Sequence, residues 1–136
     1  MILVDTTIWS KAYRRKKIAD KDQVIVKELQ NILELEEEVL IGPVRQELLS
    51  GISNKDVFNN LMIKLSGFNN YEVQLIDHDL AAEYFNVCLN RGIQGSQTDY
   101  LICAIAYRYD LEIFTEDADF NNYEKHLPIK LYKTNS

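Results

Sequence analysis

The sequence is short of most features that would assign a protein quickly. No apolar run approaches the ~20 residues needed to span a bilayer, and Met1-Ile2-Leu3-Val4 meets Asp5 too soon for a signal peptide. A soluble, cytoplasmic protein is therefore expected. Only two cysteines are present, Cys88 and Cys103. They lie in apolar stretches and form no CxxC pair, which argues against a disulfide framework or a zinc site and for buried, reduced thiols. The two histidines, His78 and His126, stand far apart and suggest no catalytic dyad. No serine sits in a nucleophile elbow, and no glycine-rich phosphate loop is present. Positive charge is also scarce: 15 Lys and Arg against 21 Asp and Glu give a net charge of −6, the wrong sign for binding nucleic acid by bulk charge.

What remains is 136 residues with 46% apolar side chains, enough for one domain over residues 1–136 that buries roughly two-thirds of its unfolded surface. Short apolar runs of strand type occur at Ile2 to Val4, Val39 to Ile41, Val73 to Ile76, Ile113-Phe114 and Ile129 to Leu131. Helical stripes lie between them. Trp9, Ala12 and Tyr13 mark one, Val24, Ile25, Leu29, Ile32 and Leu33 the next, and Val44, Leu48 and Leu49 follow Pro43 at a first helical position. Further stripes are Val57 to Leu65 and Leu80 to Cys88. Leu101 to Tyr107 is apolar nearly all round, as in a helix packed between layers. Strands alternating with helices predict an α/β domain with a mainly parallel sheet. Such sheets place their sites at the carboxyl ends of the strands.

Several acids fall at those ends. Asp5 directly follows the first strand, in Val-Asp-Thr-Thr; it suits either an N-cap or a site, and the sequence leaves both open. Glu47 lies about one turn beyond the strand at Val39 to Ile41, where a solvated first-turn acid is the plainer reading. Asp99 follows Ser96 by three residues, as in a capping box, yet it leads into an almost wholly apolar helix where an unpaired carboxylate is expensive. Asp117 closes the set in Phe114-Thr115-Glu116-Asp117-Ala118-Asp119, with Glu116 and Asp119 less well placed to reach a common point.

Four carboxylates at one edge would repel by a few kcal/mol per close pair at an effective dielectric near 20, so such a cluster implies a cation. All-oxygen ligation favours Mg²⁺ or Mn²⁺ over zinc. The natural chemistry is phosphodiester hydrolysis by a metal-activated water. In that reading Asp5, Asp99 and Asp117 hold the metal, while Glu47 binds it through water or orients the nucleophile.

Asp-Thr-Thr-x-Trp after the first strand, a mid-chain Glu-Leu-Leu-x-Gly, Thr-Asp-x-x-Ile-x-Ala at a helix start and a late Phe-Thr-x-Asp-x-Asp-Phe together resemble the PIN domain, and within it the bacterial and archaeal VapC-type toxins. The match runs in order along the whole chain. The resemblance implies a three-layer α/β/α fold with about five strands, Mg²⁺- or Mn²⁺-dependent endoribonuclease activity on tRNA or rRNA, homodimerisation, and inhibition by a cognate antitoxin. It assigns catalysis to Asp5, Glu47, Asp99 and Asp117, with Thr7 and Thr115 as supporting hydroxyls and Asp119 as the alternate to Asp117.

Lys11, Arg14, Arg15, Lys16 and Lys17 form the densest basic cluster, a candidate contact for RNA phosphates or else a solvated helix end. The acidic run Glu34-Leu35-Glu36-Glu37-Glu38 reads as a solvated face. Tyr13, Tyr100, Tyr107 and Tyr109 suit core or dimer contacts better than base stacking. Two other functions are compatible with the pattern. One is a PIN-type RNA-processing nuclease without an antitoxin, and the other is a non-catalytic interaction domain whose acids are caps.

Overall fold

A computed structural model describes residues 1–14 and 17–134. In chain order the elements are β1 (Ile2–Val4), α1 (Thr6–Tyr13), α2 (Gln23–Glu34), β2 (Glu38–Ile41), α3 (Gly42–Leu49), α4 (Lys55–Leu65), β3 (Asn70–Tyr71), α5 (Leu75–Leu89), α6 (Gln97–Arg108), β4 (Glu112–Phe114), α7 (Asp119–Glu124) and β5 (Lys130–Leu131). The strands form one sheet in the order β3-β2-β1-β4-β5, and all four pairings are parallel. Helices cover both faces, giving a three-layer α/β/α architecture. Every residue of β1 and β2 is buried, which is why Ile2–Val4 and Val39 to Ile41 read as apolar runs rather than as alternating patterns.

Local chemistry sets the helix boundaries. Pro43 stands in the first turn of α3, where its fixed φ suits the helix and its missing N–H costs nothing. Asn54 caps α4 by accepting the N–H groups of Asp56 and Val57. The stripe Val26, Leu29 and Ile32 faces the core from α2, and α6 buries Tyr100 and Ile102 to Ala106. A bidentate ion pair joins α5 to α6: Arg108 Nε and Nη2 donate to Asp77 Oδ1 and Oδ2 at 2.5 and 2.8 Å. Burial works against the charge on Asp77, but Arg108 more than offsets it and holds the carboxyl below the ordinary aspartate range. Trp9, fully buried, donates from Nε1 to the carbonyl of Val4 at 3.0 Å and so ties α1 to the end of β1. Cys88 and Cys103 are buried free thiols.

The expected strand at Val73 to Ile76 is not formed. The third strand is Asn70–Tyr71, and Leu75 already opens α5, because Asp77 reaches back to accept the N–H of Gln74 at 2.8 Å and starts the helix there. Leu75 and Ile76 are consequently exposed first-turn residues. The run Glu34 to Glu38 is not uniformly solvated either: Glu38 is buried in β2, and its Oε2 accepts the N–H of Asn69 at 2.9 Å. No helix among the described residues is long and apolar enough to cross a membrane.

Candidate active site

The chain winds from β1 outward through β2 to β3, then returns to the other side of β1 to lay down β4 and β5. The direction of winding therefore reverses between β1 and β4, and the crevice beyond their carboxyl ends is where an open α/β sheet binds ligands. Asp5 and Thr115 are the first residues past these two strands. The N–H of Asp5 donates to the carbonyl of Phe114 at 2.9 Å, closing the pairing.

Asp5 occupies the N-cap position of α1, but its side chain makes no capping bond. Its Oδ2 instead accepts Thr7 Oγ1 at 2.9 Å and Thr115 Oγ1 at 2.7 Å. Both hydroxyls are used twice. Thr115 Oγ1 also accepts the N–H of Asp117 at 3.0 Å, and Thr7 Oγ1 that of Glu116 at 3.2 Å, so the loop after β4 is stitched to the end of β1. Asp117 Oδ1 then accepts the N–H of Asp119 at 2.9 Å at the start of α7.

Asp99 is the third residue of α6. Ser96 caps that helix by accepting the Asp99 N–H at 3.1 Å, but the Asp99 carboxylate does not complete a capping box. Its Oδ2 accepts the phenol of Tyr123, from α7, at 2.7 Å. Burial, followed by the nearby charges of Asp5 and Asp117, raises the Asp99 carboxyl above the ordinary aspartate range, although the Tyr123 and Ser96 hydrogen bonds pull the other way. Ligand atoms of Asp99, Asp117 and Asp119 all lie within 4.8 Å of one another. Three convergent carboxylates with no sulfur or imidazole among them fit a hard divalent cation such as Mg²⁺ or Mn²⁺.

The sequence-based site residues are thus brought together unevenly. Asp99 and Asp117 converge as expected, and Asp119 joins them. Asp5 is 5% exposed and lies close enough to Asp99 to raise its carboxyl, but it is not one of the three mutually close groups. Glu47 is exposed on α3, where its Oε1 accepts Thr6 Oγ1 at 2.7 Å beside Asp5. Thr7 and Thr115 hold Asp5, as described.

The basic cluster is divided. Lys11 pairs with Asp22 at 3.1 Å and also with Glu116. Burial opposes its charge, yet Glu116 and Asp22 keep the ammonium above the ordinary lysine range. Arg14 and Lys17 are exposed, and Arg14 reaches the turn at Gly51 just past α3. Arg15 and Lys16 lie outside the described residues. The sequence reading missed Tyr123, although it stands four residues after Asp119, the spacing that brings two helical side chains to one face.

No curated protein is similar enough in sequence to match. Among solved structures, FitAcB from Neisseria gonorrhoeae superimposes with a TM-score of 0.74 at 20% identity, over 98% of this chain and 97% of that one. VapBC2 from Rickettsia felis, bound to a DNA fragment from its promoter, gives 0.75 at 18% identity over 99% and 100%. A toxin–antitoxin complex from Klebsiella pneumoniae gives 0.64 at 19% identity over 88% and 90%. At such identities these likenesses show a shared fold. Residues 2–126 match the family model of the PIN domain, and on that match, together with the sheet order and the acidic edge, the chain belongs to the PIN domain family.

Proposed function

We propose that the chain is a metal-dependent endoribonuclease and the toxin of a toxin–antitoxin pair. The observation that carries this reading is the convergence of Asp99, Asp117 and Asp119 within 4.8 Å at the sheet's switch point. PIN domains are in general nucleases, and the structurally similar protein from Klebsiella pneumoniae belongs to a toxin–antitoxin complex. Asp99, Asp117 and Asp119 supply the convergent oxygens for Mg²⁺ or Mn²⁺, and Asp5 completes the anionic set beside Asp99. Held by these acids, a divalent cation would supply polarisation of a phosphate oxygen and a more acidic water.

The protein's own groups do the positioning. Thr7 and Thr115 fix one oxygen of Asp5 and leave the other for a ligand. Glu47, with Oε1 held by Thr6, orients the attacking water and holds its proton at Oε2. RNA is the substrate, either tRNA or rRNA. Arg14 and Lys17 contact its phosphates, since Lys11 is engaged by Asp22 and Glu116. The protein works as a homodimer in the cytoplasm and is held inactive by its antitoxin.

A non-catalytic domain with capping acids is disfavoured by one specific observation: the Asp5 side chain caps nothing. The test is cleavage of end-labelled total tRNA and rRNA with Mg²⁺ or Mn²⁺, run beside EDTA and Asp5→Asn controls. Metal-dependent cuts lost in both controls support the nuclease and reveal its substrate. Absence of cleavage in either metal, with no metal-induced rise in melting temperature, sinks the reading.

A further inference from the structure

Tyr123 is fully buried, and its phenol donates to Asp99 Oδ2 at 2.7 Å. Two further observations show that this ring is held in place. Its centroid is 5.2 Å from that of Tyr100 and 5.1 Å from that of Phe120, so aromatic neighbours confine it. Behind it stands Gly95, where a Cβ would fall 2.3 Å from Tyr123 Oη and 2.8 Å from Cζ. No side chain fits at that position, and the glycine leaves the phenol its room. Tyr100 gives an internal contrast: its hydroxyl points at the same glycine and is also buried, but it donates to no carboxylate among the described residues. Of the two neighbouring phenols, only Tyr123 meets an acid.

We infer that Tyr123 is a positioning residue for Asp99: backed by Gly95, its hydroxyl fixes the orientation of the carboxylate that meets Asp117 and Asp119. The inference rests on the reading of these three acids as a metal site. A carboxylate on the first turn of a helix has free rotation about its terminal bond, and a single strong donor on one oxygen removes that freedom. Groups that orient a metal-binding side chain from behind change metal affinity by about 10- to 100-fold when removed. A tyrosine retained only for packing would change stability instead.

The experiment is calorimetric titration of Mn²⁺ into the full chain and three variants, each first checked for cooperative unfolding. Wild type is expected to bind. Tyr123→Phe, which keeps the ring and deletes the donor, is expected to bind about tenfold more weakly. Its cleavage rate should recover towards wild type at saturating Mn²⁺. Gly95→Ala, which displaces the ring without removing the hydroxyl, weakens binding in the same direction and decides the matter if Tyr123→Phe does not fold. Tyr100→Phe, which removes the neighbouring hydroxyl that meets no acid, leaves the affinity unchanged. Equal Mn²⁺ affinity in wild type, Tyr123→Phe and Gly95→Ala overturns the positioning role while leaving the metal site intact. A wild-type protein that binds no Mn²⁺ overturns both.

Discussion

Thr115 Oγ1 donates to Asp5 Oδ2 at 2.7 Å across 110 residues of sequence, and the same oxygen accepts the N–H of Asp117. One hydroxyl thus registers two of the four acids against each other. Thr115→Val keeps the shape and removes both bonds. RNA cleavage is expected to fall by about 10- to 100-fold, with a melting temperature only a few degrees lower, while Thr115→Ser retains most of the activity. Parallel cleavage assays and thermal melts check both halves. A Thr115→Val protein as active as wild type would show that the registration does not matter.

Asp99 bears on stability in two opposite ways. In metal-free protein its half-buried carboxylate faces the charges of Asp5 and Asp117, so Asp99→Asn should melt at the same temperature as wild type or higher. With Mn²⁺ present the order reverses. Metal at a hundredfold excess over Kd stabilises wild type by about 2.7 kcal/mol and leaves Asp99→Asn unmoved. Melting curves with EDTA and with Mn²⁺ measure both effects. A metal-free variant destabilised as by loss of a cap would favour the capping role.

The Asp77–Arg108 pair gives a pH dependence whose direction is fixed by geometry. Arg108 holds the Asp77 carboxyl below its ordinary range, so the pair's contribution is complete above the unfolded-state value, near 4, and is lost as pH falls through the lower folded value. Arg108→Met leaves the fully buried Asp77 without its cation and should cost roughly 3 kcal/mol at pH 7. The deficit shrinks as pH falls, because the stranded carboxyl, with burial no longer opposed by Arg108, takes up a proton above the ordinary aspartate range. Urea unfolding at pH 7, 5 and 3.5, followed by the fluorescence of the one tryptophan, Trp9, reads the effect directly. A deficit independent of pH would assign the loss to packing.

Lys11 and Lys17 should separate in their effects. Lys11 is engaged by Asp22 and Glu116, so Lys11→Met is expected to lose roughly 2 kcal/mol of stability and to leave the salt dependence of RNA binding as it was. Lys17 is exposed; Lys17→Met should hold stability within about 0.5 kcal/mol. If Lys17 contacts one phosphate, the slope of log affinity against log salt falls by about 0.7. Filter binding of single-stranded RNA at four salt concentrations decides between them.

These residues also show how far the sequence could be read. Strands β1, β2 and β4 carry the short, buried apolar runs Ile2–Val4, Val39 to Ile41 and Ile113-Phe114, so composition places them, and Asp5 and Thr115 follow from the ends of β1 and β4. Strand β3 has only Asn70 and Tyr71, neither strongly apolar, and the more apolar Val73 to Ile76 draws the eye instead. There the Asp77 carboxylate outweighs β propensity by opening α5. Helix α7 is six residues long, too short for a periodic signal, and without it neither the convergence of Asp119 nor the donor on Asp99 can be foreseen. The pairing of Lys11 with Glu116 spans most of the chain and has no local trace. Acids are legible where a strand end aims them, and their partners are not, because those arrive from other layers.

The position of β1 bears on how such a protein is made. Its first strand lies at the centre of the sheet, and one edge stays open until Glu112 to Phe114 arrive to pair with Ile2 to Val4. Asp5 leaves the ribosome well before its companions Asp117 and Asp119, which lie beyond β4. Until β4 has been made there is no place where the acids can meet, and a polypeptide cut short before residue 112 lacks the strand that would bring them together. Contacts of such long range form late in folding. The acidic edge therefore comes into being only when β4 has paired with β1, and no stretch of the chain before β4 carries it.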